Sequence, residues 1–206
     1  MLRRLLPLLV ALAPAGCGAS SPKPTDIDPG WPVGPFSLTE RSGKTVTDKD
    51  LRGHVWVASF VFTRCTGPCP TVAETVRKLH VELKDEPKIK FVTFTVDPAR
   101  DDLSALREYA DQRQADRERW LFLTGDEKTV REVVVGQFKQ GLTRQDGADV
   151  KPGDEFDHST RLLLVDAGGV VRGYYPGLYD PEVHGSPAAF AADLDRLKAR
   201  ARELAK

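Results

Sequence analysis

The run Phe60-Val-Phe-Thr-Arg-Cys65-Thr-Gly-Pro-Cys69-Pro70 constrains this chain more than any other stretch. Val55, Val57, Phe60, Val61 and Phe62 are the β-branched and aromatic residues that pack on a pleated surface, which makes the segment a buried strand. It stops at two cysteines and at Pro70, whose fixed φ suits a first helical turn. The cysteines are therefore expected at a helix N-terminus, where unpaired N–H groups and partial positive charge favour thiolate over thiol. A stapling disulfide is the bland alternative, but closing so small a loop constrains the unfolded chain little. Two buried, inert thiols are the other, and the polar Thr-Gly-Pro loop between them argues for exposure instead. Cys65 and Cys69 are the first candidate site residues.

The chain has 206 residues, 40% of them hydrophobic, enough for one domain with a proper core. Lys plus Arg and Asp plus Glu are equal at 30 each, with no long basic block. Nothing supplies the positive field that nucleic acid requires, so no nucleic-acid partner is expected.

Arg3 and Arg4 precede the apolar run Leu5 to Ala13, too short to span a bilayer but right for a signal-peptide core. Residues 1–16 are expected to be a signal peptide and the protein to be exported. Ala13-Pro-Ala15 suits ordinary signal peptidase, whereas Ala15-Gly16-Cys17 resembles the end of a bacterial lipobox, with Pro14 where such boxes usually carry Leu. Lipidation of Cys17 is the favoured reading, because a free third thiol would invite exchange in an oxidising compartment. The Pro-, Ser- and Gly-rich segment that follows makes 17–34 a flexible tether, leaving 35–206 as the folded domain. The location implied is periplasmic, or the outer face of the cell membrane through a lipid anchor.

Phe36–Thr39 and Lys44–Thr47 alternate around a Gly-containing turn as a hairpin, and His54–Phe62 is the first long strand. Val72, Val76, Leu79 and Leu83 fall at helical spacing and predict a helix over 70–85. A second strand spans Ile89–Val96, a helix 101–114 capped by Asp101 or Asp102, a short strand Trp120–Leu123 and a helix Glu127–Phe138. Residues 139–159 show no periodicity and read as a long loop of the kind that carries function. A second hairpin, Thr160–Asp166 with Val170–Tyr175, and a terminal helix, Pro187–Leu204, complete the chain. This order gives an α/β class: a central mixed β-sheet flanked by helices, with an added N-terminal hairpin and a C-terminal hairpin plus helix. A dithiol at the end of its first parallel strand is where the thioredoxin-like fold keeps its redox site.

Of four histidines, His158 stands out because it closes the irregular loop just before the strand Arg161–Val165, from whose mouth it can face the cysteines. His54, His80 and His184 read as surface or satisfied core residues.

Cys65-Thr-Gly-Pro-Cys69-Pro70, Phe94-Thr-Val-Asp97-Pro98-Ala-Arg100-Asp101 and Asp157-His158-Ser159 resemble the CxxxCP, VDPxRD and DHS signatures of the Sco/SenC copper-chaperone family, in that order. The match runs from about residue 31 to the terminal helix. One departure is that Thr66, not Pro, follows the first cysteine, with Pro68 before the second. The resemblance implies a thioredoxin-like domain holding one copper, Cu(I) or Cu(II), on Cys65, Cys69 and His158. Two soft thiolates suit Cu(I) and an added imidazole accommodates Cu(II); the same set also suits zinc, and only the family selects copper. Asp97 matches an acidic position of the family and is expected to orient His158 or a partner, or else merely to lead the turn at Pro98. The implied partners are upstream copper donors and the copper-binding subunit of cytochrome c oxidase. The alternative is a membrane-anchored thiol-disulfide oxidoreductase that keeps that subunit's cysteines reduced through Cys65 and Cys69. A thiol peroxidase fits less well, since it needs neither His158 nor a paired dithiol.

Overall fold

The computed structural model describes residues 28–206. The expected signal peptide, Cys17 and most of the expected tether lie outside them. The elements are β1 (Ser37–Glu40), β2 (Thr45–Thr47), β3 (Val55–Val61), α1 (Cys69–Glu82), β4 (Ile89–Thr95), α2 (Leu103–Asp111), β5 (Trp120–Thr124), α3 (Glu127–Arg131), β6 (Leu142–Arg144), β7 (Phe156–His158), β8 (Arg161–Val165), β9 (Val171–Pro176), α4 (Pro181–His184) and α5 (Pro187–Leu204). Seven strands form one sheet in the order β2-β1-β5-β4-β3-β8-β9. β3, β4 and β5 run parallel, while β1 and β8 flank them antiparallel. The mixed sheet and its helices make the fold thioredoxin-like, with the expected N-terminal hairpin and the C-terminal hairpin followed by helix.

Every residue of β3 is buried, so both faces of the sheet's centre are covered. On one face Phe60 stacks on Phe94, and Phe138 packs against Trp56, Phe60 and Phe94. On the other, Ser59 and Thr93 share a hydrogen bond of 2.8 Å and the Trp120 indole donates to Thr93 at 2.8 Å. These buried hydroxyls are satisfied by one another, as a dry interior demands.

Three expectations need correction. Residues 139–159 are not wholly irregular: β6 and β7 pair antiparallel, Leu142 opposite His158, because Phe156 docks edge-on against Phe62 at 5.5 Å. Strands of three residues are too short to show an alternation. The helix expected over 127–138 is α-helical only to Arg131, and Glu132–Gln137 forms a π-helical turn in which the Phe138 N–H donates to Val133 O at 2.9 Å. That extra residue per turn delivers Phe138 to the core. The tether does not extend to residue 34. Gly30 N–H donates to Val171 O, Val33 N–H to Gly169 O, and Pro32 bridges Val170, so the chain is already laced to the β9 edge. Val33 is buried and Asp28 reaches Arg172 and Arg200 at 3.6 Å.

At the C-terminal ends of the parallel strands lies Asp101, fully buried. Its carboxylate accepts from the Thr63 N–H at 3.0 Å, the Thr63 hydroxyl at 2.6 Å and the Thr95 hydroxyl, while its carbonyl accepts from the Thr124 hydroxyl at 3.3 Å. Burial raises its pKa, and the Thr63 and Thr95 hydrogen bonds oppose that. The helix cap is the neighbouring Asp102, which accepts from Ala105 N–H at 2.8 Å. Asp101→Ala leaves the buried Thr95 hydroxyl and the partly buried Thr63 N–H and hydroxyl without an acceptor, at about 1–3 kcal/mol for the buried donor and less for the others, so urea unfolding is expected to show a loss of about 2 kcal/mol or more. A loss below about 1 kcal/mol would mean that water replaces the carboxylate and that it holds nothing together.

Candidate metal centre

β3 delivers the chain to its C-terminal end, where Phe62 O accepts from the Cys65 N–H at 3.2 Å and turns the backbone towards α1. Cys69 opens α1, preceded by Pro68 at the cap and followed by Pro70 within the first turn. The expected strand-loop-helix junction is present, with Cys65 in the loop and Cys69 on the helix. Both are free thiols; Cys69 is fully buried and Cys65 half-buried.

The two thiols are unequal. Hydrogen bonding from Cys69, aided by the N–H groups of Cys69 and Gly67, pulls the Cys65 pKa down to about 6 despite partial burial. The same shared proton, together with burial, pushes the Cys69 thiol up. The expectation of two activated thiolates is therefore corrected to one. The helix N-terminus and the second thiol stabilise charge on the outer sulfur, and the inner one keeps the proton.

His158 ends β7 and is 8% exposed. Its Nδ1 lies 3.1 Å from the Ser159 carbonyl, which can only accept, so Nδ1 carries the proton and Nε2 is left with a free lone pair. That Nε2 lies 3.2 Å from Cys69 Sγ. Burial keeps the imidazole pKa low and the ring neutral. Phe62 meets the ring edge-on at 5.9 Å and fixes its plane. The inner sulfur thus meets His158 Nε2 directly, and Cys65, whose ionisation is coupled to Cys69, completes a soft S,S,N donor set. Among the described residues, no three His, Cys, Asp or Glu side chains close into a ready-made metal cage.

Asp97 does not reach His158. Its backbone N–H donates to the Thr95 hydroxyl at 3.0 Å and its carboxylate pairs with Arg100, which also reaches Glu155 at 2.5 Å. Asp97 makes no direct hydrogen bond to the histidine, whose Nδ1 proton goes to Ser159 O instead. Arg100 and Glu155 were not singled out in the sequence and Asp101 only as a helix cap, although Arg100 and Asp101 stand in the same short motif as Asp97. Of the other histidines, His80 is a core residue between Phe91 and Trp120, and His184 Nδ1 accepts from Asp180 N–H at 3.0 Å.

A family model described as SCO1/SenC matches residues 27–189. Among solved structures, a SCO1/SenC family lipoprotein from Bacillus anthracis is 26% identical, with a TM-score of 0.74 over 88% of this chain and 99% of its own. BsSco, described as having a disulfide switch and as a member of the Sco family of cytochrome c oxidase assembly proteins, is 26% identical with a TM-score of 0.68 over 87% and 96%. ScoI of Bradyrhizobium japonicum, solved with copper bound, is 26% identical with a TM-score of 0.62 over 79% and 98%.

The inequality of the thiols sets a pH profile for the reduced, metal-free protein. Thiolate is the nucleophile, so alkylation of Cys65 should proceed at full rate above neutrality and fall as pH drops through about 6, while Cys69 reacts slowly throughout. Peptide mapping after brief iodoacetamide exposure at pH 7 checks this, and preferential labelling of Cys69 would reverse the assignment.

Proposed function

Because the chain belongs to the SCO1/SenC family, we propose that it binds one copper on Cys65, Cys69 and His158 and delivers it to the copper-binding subunit of a cytochrome c oxidase during assembly. The observation that carries this reading is the 3.2 Å approach of His158 Nε2 to Cys69 Sγ, with the lone pair directed at the sulfur. Two sulfurs and a neutral imidazole fit copper in both oxidation states: the thiolates favour Cu(I) and the nitrogen adds a ligand suited to Cu(II). The copper-bound Bradyrhizobium japonicum ScoI and the assembly role ascribed to BsSco support it. Copper here is cargo. The low pKa of Cys65 lets one sulfur engage the ion before Cys69 gives up its proton, and the half-exposed loop gives an incoming donor or waiting recipient access.

A second reading has its own support in the activated Cys65 thiolate and in the disulfide switch ascribed to BsSco. Cys65 would attack a partner disulfide, releasing one partner thiolate and forming a mixed disulfide. Cys69, on losing its proton, would then attack Cys65 Sγ, closing a Cys65–Cys69 disulfide and releasing the second partner thiol. Two electrons pass to the partner.

We further propose that Cys17 is lipidated after removal of residues 1–16 and holds the protein at the outer face of the cell membrane. The neighbouring Bacillus anthracis protein is described as a lipoprotein. No helix among the described residues is long and apolar enough to cross a membrane.

His158→Ala separates the two readings. It removes the nitrogen ligand and leaves both sulfurs, so Cu(II) affinity should fall by more than the ~10–100-fold that follows loss of a group merely supporting a ligand, while Cu(I) affinity and the disulfide-exchange rate change little. Normal oxidase assembly in a strain carrying His158→Ala, without added copper, would refute the carrier reading. In the Cys65→Ala, Cys69→Ala double variant, thiolate-to-Cu(II) charge-transfer absorption should vanish. For the anchor, Cys17→Ser should move the protein from the membrane to the soluble fraction or stall its processing, because stable anchoring takes more than one acyl chain. A wild-type protein found soluble, with Gly16 at its N-terminus, rules lipidation out.

A further inference from the structure

Residues 145–155 bring the chain back over the cysteine loop, and specific contacts keep them there. Gly153 has φ +98°, and a Cβ on it would lie 2.6 Å from Thr66 Oγ1 and 2.9 Å from Arg64 O. Only glycine tolerates both that backbone and that approach. The Thr66 N–H donates to Gly153 O at 3.4 Å. Glu155 then faces two donors: its Oε2 accepts from the Gly153 N–H at 2.8 Å and its Oε1 from Arg100 Nη1 at 2.5 Å. Arg100 is held from the other side by Asp97, which follows the end of β4. Glu155 directly precedes β7, whose last residue is His158.

We infer that Arg100 and Glu155 form a clamp that positions His158 against Cys69, making both positioning residues for the metal site. The purpose of the clamp rests on the proposed copper role; its existence does not. The β6–β7 pair is not part of the main sheet, and its strands of three residues supply little hydrogen bonding of their own. Phe62 fixes the ring planes of Phe156 and His158 from one side. Those edge-on contacts set the tilt of the rings, and the flanking backbone bonds from Gln145 N–H to Glu155 O at 2.8 Å and from Ser159 N–H to Gly141 O at 3.3 Å tie β7 only to its short partner, not to the main sheet. The Arg100 fork adds a directional restraint that reaches the main sheet. It joins β7, through Glu155, to Asp97 at the end of a strand in the centre of the sheet. The pair is largely sheltered, at 30% and 19% side-chain exposure, where a charge-assisted bond holds geometry better than on an open surface.

The test uses the full-length protein in two arms. In the metal-free arm, hydrogen exchange is followed in wild type, Arg100→Ala, Glu155→Ala and the double variant. The clamp requires faster exchange across β6 and β7 in both single variants, with β3 and β4 unchanged. Unaltered exchange at β6 and β7, or an equal increase throughout the sheet, overturns it whatever copper does. In the second arm Cu(II) and Cu(I) affinities are measured separately. Each single variant should weaken Cu(II) binding about tenfold, the scale seen when a group supporting a ligand is lost, and Cu(I) binding less than about threefold. The double variant should be no worse than either single, because both remove one shared interaction, and additive losses overturn the clamp. Glu155→Gln keeps one acceptor oxygen for two donors, Arg100 and the Gly153 N–H, and should recover only part of the affinity. If wild type takes up no copper while the exchange arm gives the expected pattern, the clamp stands and the copper reading falls.

Discussion

A single buried carboxylate holds the working end of the sheet together. Asp101 gathers the backbone and hydroxyl of Thr63 beyond β3, the hydroxyl of Thr95 at the end of β4 and, through its carbonyl, the hydroxyl of Thr124 at the end of β5. Parallel strands have no tight turn to align their C-terminal ends, so those ends splay unless something ties them. Placing a charge there has a desolvation cost, visible in the raised pKa of the group, which the three donors offset. The position of Cys65, two residues after Thr63, is a consequence of that knot.

The site built on this platform combines an outer thiol poised to ionise with an inner thiol that holds its proton beside a neutral imidazole. Such asymmetry suits stepwise exchange. Under the proposed copper role, the sulfur reached first from solvent would already be charged, and the groups reached last would stay shielded until the ion had lost its water. Metal transfer and thiol exchange would both use this order of events.

The parts legible in the sequence were those written in local pattern. Long runs such as Ile89–Thr95 announced central strands, and the break from Val61 to Pro70 announced the strand-to-helix junction. His158 could be picked out because it closed an aperiodic segment before a strand. Asp101, Arg100 and Glu155 could not, since a charge acquires its role from partners distant in the chain: Arg100 and Glu155 are 55 residues apart. The π-helical turn after Arg131 was hidden for another reason. Val130, Val133, Val134 and Phe138 fit the helical period well enough that one added residue leaves no mark. Inequality between the cysteines likewise depends on burial, which spacing alone does not encode.

The lacing of residues 28–33 along the edge strand also has a mechanical side. β9 begins at Val171, opposite Val165, which in turn faces Trp56 near the start of β3, whereas the cysteines follow the end of β3. Tension drawn through the N-terminal segment therefore enters the domain at the pole remote from Cys65 and Cys69. It is borne there by the bonds from Gly30 and Val33 and by the two arginines that hold Asp28. Under the proposed anchor at Cys17, a domain tugged from that end would turn its cysteine loop away from the membrane, like a kite whose bridle is tied behind its leading edge.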